Sequence, residues 1–256
     1  MIVFCTFVKM NIYQNISLKK KAGKKMIAVL VDPDKLTINE CTKISEKAVD
    51  ASVDFFFVGS SIITGNTFEE CISILKKTSL PVILFPGNTM QISNNADGLL
   101  FLSLISGRNP EMLIGRHVLA APVLKKTSLE IIPTGYIIID SGTPTSVSYM
   151  SGTTPIPHDK NDIAVCTAMA GEMLGLKLIY LDAGSGARFP VSSKMIESVS
   201  KNIHIPLIVG GGIRTPEKVA EVCNAGADIV VIGNALEKDP DLISELALVV
   251  HSLQAI

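Results

Sequence analysis

Residues 206–217 read Pro-Leu-Ile-Val-Gly-Gly-Gly-Ile-Arg-Thr-Pro-Glu, and after a helical stretch residues 227–234 read Ala-Asp-Ile-Val-Val-Ile-Gly-Asn. The apolar run Leu207 to Val209 ends in three glycines, Thr215 caps a helix whose first position is Pro216, and the helical face closes near Gly226. A second apolar run, Ile229 to Ile232, follows and stops at Gly233 and Asn234. Two parallel strand ends with small residues at both tips therefore lie side by side. Glycines without Cβ let backbone N–H groups approach an anion, and helix N-termini add a favourable partial charge. A tight turn alone would also use Gly210 to Gly212, but the adjoining Gly233-Asn234 tip favours a phosphate cup of the kind formed after the seventh and eighth strands of parallel β/α barrels.

Working outward, the same unit recurs. Strands are predicted at Met26 to Val31, Phe55 to Val58, Pro81 to Phe85, Leu99 to Leu102, Tyr136 to Ile139 and Lys177 to Leu181, each with a polar or glycine-containing exit. Helices are predicted from Thr37 to Asp50, Phe68 to Lys77, Asn109 to Leu119 (before Pro122), Asn161 to Leu174, Ser192 to Lys201 and from Asp239 onward. Gly87 to Gly98 is too short for two turns and a helix, so the third outer helix is expected to be missing or replaced. Asp140 to Lys160, rich in Ser, Thr, Gly and Pro, reads as a substrate-covering loop. The 256 residues fit one domain of about the 250 residues typical of a barrel. The fold class is thus α/β, a single-domain (β/α)8 or TIM barrel over 26–256, preceded by an N-terminal extension and lead-in helix over 1–25.

Composition narrows the function. Charged residues are 18%, hydrophobic ones 47%, aromatics 5%, and the formal charge is −1, which excludes a broad nucleic-acid surface. Five cysteines without a CxxC pair suit reduced thiols. Met1 to Met10 is apolar but lacks a basic leader and falls short of the roughly 20 residues that span a bilayer, so a cytoplasmic, soluble protein is expected.

Asp54, Asp97 and Asp228 stand at strand entrances and are expected to be structural; chemistry belongs at the exits. Those exits carry Asp32, Asp34, Ser60, Ser61, Asn88, Asp140, Asp182, Ser185, Gly211, Gly212, Gly233 and Asn234. A ring with a phosphate cup on one side and carboxylates on the other suits a hard ion such as Mg²⁺, with Asp32 as ligand; the other reading of Asp32-Pro33-Asp34 is a helix-entry turn. His117, His158, His204 and His251 are too dispersed for a zinc motif.

Leu-Val-Asp-Pro-Asp-Lys (30–35), Val-Gly-Ser-Ser (58–61), Tyr-Leu-Asp-Ala-Gly-Ser-Gly-Ala (180–187), Val-Gly-Gly-Gly-Ile-Arg (209–214) and Ile-Gly-Asn (232–234) closely resemble, in order and spacing, the geranylgeranylglyceryl phosphate synthases and their bacterial heptaprenylglyceryl relatives. Ser-Tyr-Met-Ser-Gly-Thr-Thr-Pro-Ile-Pro (148–157) is similar to the larger, archaeal-type branch. The resemblance implies a prenyltransferase that joins sn-glycerol 1-phosphate to a polyprenyl diphosphate, geranylgeranyl above all, with Mg²⁺, giving an ether and pyrophosphate. It implies metal ligands at Asp32 and Ser61, and glycerol phosphate binding by Tyr180, Leu181, Asp182, Ala183, Gly184, Ser185, Gly186, Gly211, Gly212, Gly233 and Asn234.

Asp182 would accept the glycerol proton and Tyr180 orient the acceptor, although a core aromatic is the other reading of Tyr180. The family usually has Glu where this chain has Asp182, a side chain one methylene shorter, so reach must be recovered by substrate position or a water. Phe85, Leu99, Phe101 and Leu102 beside the missing helix are candidate prenyl contacts. An exposed apolar flank predicts a homo-oligomer, and the product would be destined for a membrane. The rival readings are a sugar-phosphate isomerase or epimerase and a non-catalytic phosphate-binding barrel.

Overall fold

The structure, a computed structural model, describes residues 11–253; the apolar run Met1 to Met10 lies outside the described residues. The elements run α1 (Ile12–Lys21), β1 (Met26–Val31), α2 (Ile38–Asp50), β2 (Phe55–Val58), α3 (Phe68–Leu75), β3 (Val82–Leu84) and β4 (Gly98–Leu104). A π-helical turn (Glu111–Gly115) then leads into α4 (Arg116–Leu124), followed by β5 (Glu130–Ile138), α5 (Ser146–Ser151), α6 (Asn161–Met173) and β6 (Leu178–Asp182). The chain ends with α7 (Ser193–Ser200), β7 (Leu207–Gly210), α8 (Pro216–Asn224), β8 (Ile229–Ile232), α9 (Asn234–Lys238) and α10 (Leu242–Ser252). The eight strands pair in parallel and in chain order, and β8 closes on β1.

Strand parity explains both layers. On β1, Met26 and Ala28 face the barrel interior while Ile27, Val29 and Val31 face the helices; on β6, Leu178 and Tyr180 face in while Ile179 and Leu181 face out. The interior is more aromatic than the aliphatic composition suggests. Phe55, Phe57, Phe85, Tyr136 and Tyr180 gather there, with the Phe85 and Tyr180 rings stacked at 5.3 Å and Tyr136 edge-on to Tyr180 at 5.4 Å. Fully burying a Phe side chain contributes about 1.5–3 kcal/mol, so this column is a large part of what closes the barrel.

The bottom of the barrel is plugged and pinned by charge. Ile12 and Ile16 of α1 enter the interior cluster, and the N–H groups of Ile12 and Tyr13 donate to the Glu130 carboxylate at 2.5 and 2.9 Å. Asp54, Asp97 and Asp228 each accept an N–H from the first two residues of a neighbouring strand, from Ile27 (2.8 Å), Val82 (2.9 Å) and Leu207 (2.8 Å). Each also meets an ammonium group: Lys19, Lys76 at 2.6 Å, and Lys20 at 2.7 Å respectively. The three entrance aspartates are therefore struts of the stability face.

Residues 85–97, between β3 and β4, contain no helix, as the short spacing predicts. Three other expectations change. β5 starts at Glu130, six residues before Tyr136, because Pro133 costs the ladder nothing: its carbonyl accepts Lys177 N–H (2.8 Å) just ahead of β6, so its missing N–H faces a place where no strand has begun. Pro122 does not end the helix after Asn109. It lies in the last turn of α4, where the carbonyl deprived of a partner belongs to Val118, whose residue is 63% exposed and open to water. The long segment 140–160 is not loop throughout, since Thr145 and Ser148 form a capping box that starts α5, and Ile139 bridges to Ile156.

Candidate active site at the strand exits

At the C-terminal ends of the strands a single cavity joins the two halves of the predicted ring. Asp32, Ser60, Ser61, Asn88, Tyr180, Asp182, Gly184, Ser185, Gly186, Gly211, Gly212, Gly233 and Asn234 all line it. The strand exits that the sequence brings forward thus meet in space, apart from Asp34 and Asp140. Asp34 turns away to accept Thr64 N–H (2.6 Å), the Thr64 hydroxyl (3.0 Å) and Gly65 N–H (3.0 Å), and these bonds, Thr64 N–H foremost, hold its carboxyl below the usual range. Asp140 caps Gly142 N–H at 3.0 Å and does not reach the cavity.

The anion cup is built from backbone. Gly184, Gly186, Gly211 and Gly212 have φ of +87, +77, +84 and +72°, the left-handed region that a side chain disfavours. A Cβ at Gly211 would sit 2.7 Å from Gly184 N and 2.8 Å from Ala183 N, so the loops after β6 and β7 pack main chain to main chain. Gly210 serves another purpose, because a Cβ there would lie 2.6 Å from the Tyr180 hydroxyl. Among the described residues no protein acceptor takes the N–H groups of Gly212, Gly233 or Asn234, which leaves them for an anion. Ser185 Oγ donates to Asn234 Oδ1 at 3.1 Å and ties the cup across β6 and β8.

Two of the sequence-derived contacts do not enter the cavity. Leu181 and Ala183 point into the layer between sheet and helices, the parity opposite to Tyr180 and Asp182, and the Ala183 N–H is already bonded to Gly210 O at 3.1 Å. A contiguous motif along a strand alternates faces, so a run from 180 to 186 cannot present every side chain to one ligand.

Asp182 is buried and accepts two neutral donors, the Tyr136 hydroxyl on Oδ2 and Gly184 N–H on Oδ1 at 2.7 Å. Burial pushes its carboxyl above the ordinary Asp value, and the two donors offset only part of that. Burial and then the Asp182 charge raise both Tyr136 and Tyr180 well above 10, so both phenols stay protonated. Tyr136 was not singled out by its sequence; the usable signal is that a mid-strand Tyr directly across the ladder from Tyr180 must find a partner for its hydroxyl.

At the opposite end Asp32 Oδ2 accepts the Ser60 hydroxyl at 2.9 Å and Oδ1 accepts Asp34 N–H at 3.2 Å. Ser60 rather than Ser61 is thus bonded to Asp32, while the Ser61 residue also lines the cavity. Among the described residues no three His, Cys, Asp or Glu groups converge on one point. One carboxylate with hydroxyls beside it fits a hard cation that takes its remaining oxygens from phosphate and water. Gln91 is a further missed residue: buried, it accepts from Gly87 N–H (3.1 Å) and Ser60 N–H (3.3 Å) and donates to Ser60 O (2.8 Å), pinning the helix-less third connection to the exit of β2.

From this polar end the cavity continues as an apolar groove under α4, walled by Phe85, Leu99, Phe101, Leu102, Met112, Ala120 and Leu124, with Val147 and Met150 of the α5 segment on the near side. The four residues expected from sequence all lie on it. His117 is buried at the groove, its Nε2 3.2 Å from Ser103 Oγ and its ring edge-on to Phe101 at 4.5 Å; burial holds it below its usual value, in the neutral form.

The fold and site define a (β/α)8 barrel whose glycine-rich polar centre opens into an apolar groove. Within that class, residues 20–250 match the model of the PcrB family, and the chain belongs to that family. A geranylgeranylglyceryl phosphate synthase of Spirosoma linguale is 56% identical over 233 residues, 91% of this chain and 94% of that protein. One of Korarchaeum cryptofilum is 40% identical over 237 residues, 92% of this chain and 97% of the other. The crystal structure of the (S)-3-O-geranylgeranylglyceryl phosphate synthase of Thermoplasma acidophilum in complex with its substrate sn-glycerol-1-phosphate superposes with TM-score 0.89 at 34% identity, covering 95% of this chain and 100% of that one.

Proposed function

We propose that this chain is a prenyltransferase that joins sn-glycerol 1-phosphate to a polyprenyl diphosphate, forming an ether-linked prenylglyceryl phosphate and releasing pyrophosphate. The observation that carries the reading is the continuity of an anion cup, a buried carboxylate and an apolar groove in one cavity. A sugar-phosphate isomerase would need the cup but has no use for the groove. The names of the relatives, and the glycerol phosphate bound in the Thermoplasma protein, support the same substrates.

In this reading the N–H groups of Gly212, Gly233 and Asn234 hold the acceptor phosphate. Asp182, with its proton affinity raised by burial, takes the proton of the attacking glycerol hydroxyl, and the neutral phenols of Tyr136 and Tyr180 fix the geometry. Asp32 with Ser60 and Ser61 would hold Mg²⁺, which when bound offsets the charge that develops on the pyrophosphate leaving group. The apolar groove keeps the prenyl chain and the reacting carbon out of water.

Purified protein is incubated with Mg²⁺, radiolabelled glycerol 1-phosphate and prenyl diphosphates of graded length, then extracted with organic solvent. Label in the organic phase is expected for a long donor; label that stays aqueous with every donor refutes the transferase. Asp32→Ala is expected to abolish turnover, and full turnover in that variant removes the metal assignment.

The proposal extends to assembly and compartment. Ile114, Val118, Leu119 and Val123 form an exposed apolar strip along the π turn and α4, which a second copy of the chain would cover. Light scattering that shows only monomer at working concentration refutes this. The five cysteines form no CxxC pair, which suits a reducing cytoplasm. No helix among the described residues is long and apolar enough to cross a membrane.

A further inference from the structure

Lys35 has no part in the machinery described so far, yet it sits where the two halves of the cavity meet. Its N–H closes the turn after β1 on Asp32 O at 3.1 Å. Its ammonium group lies 3.4 Å from Asp32 Oδ2, 3.1 Å from Ser185 Oγ and 3.5 Å from Glu237 Oε1. Glu237, on α9 just beyond Asn234, also lines the cavity, and burial pushes its carboxyl up. A side chain from the first strand exit thus reaches the loop after β6 and the helix after β8.

The placement is unfavourable for either partner unless an anion joins them. A divalent cation on Asp32 would face the Lys35 ammonium across a few ångströms, and like charges so close repel. Glu237 beside a phosphate cup would likewise repel the ligand unless a cation neutralises it. The Asp32–Lys35 pair sums to zero charge, so a divalent ion there leaves two positive charges to be balanced, which a diphosphate supplies. Lys35 and Asp32 belong to one hydrogen-bonded turn, so this pairing persists whatever the other loops do. The acceptor phosphate, by contrast, already has the backbone N–H groups of the cup.

We infer that Lys35 binds the diphosphate of the donor: in the free protein its ammonium rests between Asp32 and Glu237, and with donor bound it donates to the diphosphate oxygens beside Asp32. The inference rests on the diphosphate reading given above. It makes Lys35 a substrate-binding residue for the leaving group and Glu237 the anion that holds Lys35 in place before the donor arrives.

The test is calorimetric and needs no turnover. Inorganic pyrophosphate with Mg²⁺, and separately sn-glycerol 1-phosphate, are titrated into wild type, Lys35→Met, Lys35→Arg and Glu237→Gln. Loss of one charge-assisted hydrogen bond predicts that Lys35→Met weakens pyrophosphate binding about tenfold or more, with a much smaller change in glycerol 1-phosphate affinity through the lost Ser185 contact, which also shows that the variant is folded. Lys35→Arg restores most of the affinity. Glu237→Gln, which releases Lys35 and removes a like charge beside the ligand, tightens pyrophosphate binding.

Unaltered pyrophosphate binding in Lys35→Met overturns the inference, as does an equal loss for both ligands or a Glu237→Gln variant that binds pyrophosphate more weakly. Wild type that binds glycerol 1-phosphate but no pyrophosphate overturns the donor reading itself, a different failure that is visible before any variant is made.

Discussion

Removing the Tyr136 hydroxyl isolates the group that sets the basicity of Asp182. In Tyr136→Phe the ring and its contacts with Phe85 and Tyr180 remain, and the one donor to Asp182 Oδ2 is lost. Because the acceptor is a buried carboxylate, that bond favours the charged form, and a hydrogen bond to a charged group contributes about 1.5–3 kcal/mol. Its loss moves the ionisation equilibrium of Asp182 about tenfold to a hundredfold toward the protonated acid. The acid limb of kcat/KM, which reports the free base, should move to higher pH. Below the limb the variant should be slower by about that same factor, and well above it the two profiles should converge.

Stability follows the same sign. Asp182 has a raised value in the folded chain, so the folded state holds its proton more tightly than the unfolded one, and stability falls as pH rises from the ordinary Asp value through the raised one. The variant widens that window, so its deficit in chemical denaturation is largest at high pH and shrinks in acid. The measurements are pH profiles of kcat/KM and urea unfolding at several pH values. A loss of rate that is uniform with pH would place Tyr136 on the substrate rather than on Asp182. A limb that moves to lower pH would refute the reasoning outright.

Three further outcomes follow from the geometry. Gly211→Ala forces a φ of +84° on a residue with Cβ and drives it to 2.7 Å from Gly184 N, so glycerol 1-phosphate binding measured by calorimetry should be lost, with a stability cost of at least about 1–2 kcal/mol. Asp54→Ala removes a strut at the far end and should cost about 2–3 kcal/mol at neutral pH without changing KM. Burial would raise the Asp54 carboxyl, but His251, Lys19 and Ile27 N–H together hold it below its usual value, so this contribution is present above the ordinary Asp pKa and should vanish as pH falls through the lowered one. Ala120→Phe fills the groove beside Leu124 and should shift donor preference in the extraction assay toward shorter prenyl chains, with glycerol phosphate affinity intact; unchanged donor preference would remove the groove as the prenyl site.

Much of this was legible because a parallel barrel writes itself locally. Most strands are short apolar runs with a polar or glycine exit, and Thr37 and Thr215 cap their helices as their residue types require. The early start of β5 was not legible: Pro133 reads as a breaker until one knows that β6 starts one residue too late to need its N–H. The position of Pro122 inside α4 depends likewise on water at Val118, a fact of tertiary exposure. In the site, the motifs found the backbone cup, but they could not separate Tyr180 and Asp182 from Leu181 and Ala183, since a motif is read in sequence and a strand alternates in space. Ser60 and Ser61 pose the same problem at the metal end. Gln91, Tyr136, Lys35 and Glu237 were missed because each acts through a partner on another strand or loop, separated by 31, 46, 150 and 202 positions in the bonds to Ser60, Asp182, Ser185 and Lys35.

The carboxylates show why residue type and strand position leave the role open. Asp228, at the entrance of β8, and Asp182, at the exit of β6, are both buried, and both accept a backbone N–H, from Leu207 and Gly184. They differ in the second partner. Asp228 meets the Lys20 ammonium at 2.7 Å, a charged partner that ties α1 to the strand entrance. Asp182 meets only the Tyr136 phenol, a neutral donor, so burial prevails and its affinity for a proton rises. Asp32 meets both kinds of partner, the neutral Ser60 hydroxyl at 2.9 Å and the Lys35 ammonium at 3.4 Å. In the proposed reaction one residue type would thus serve as strut, base and cation ligand in a single barrel, and what separates the three carboxylates is the charge of the neighbour each meets across the barrel.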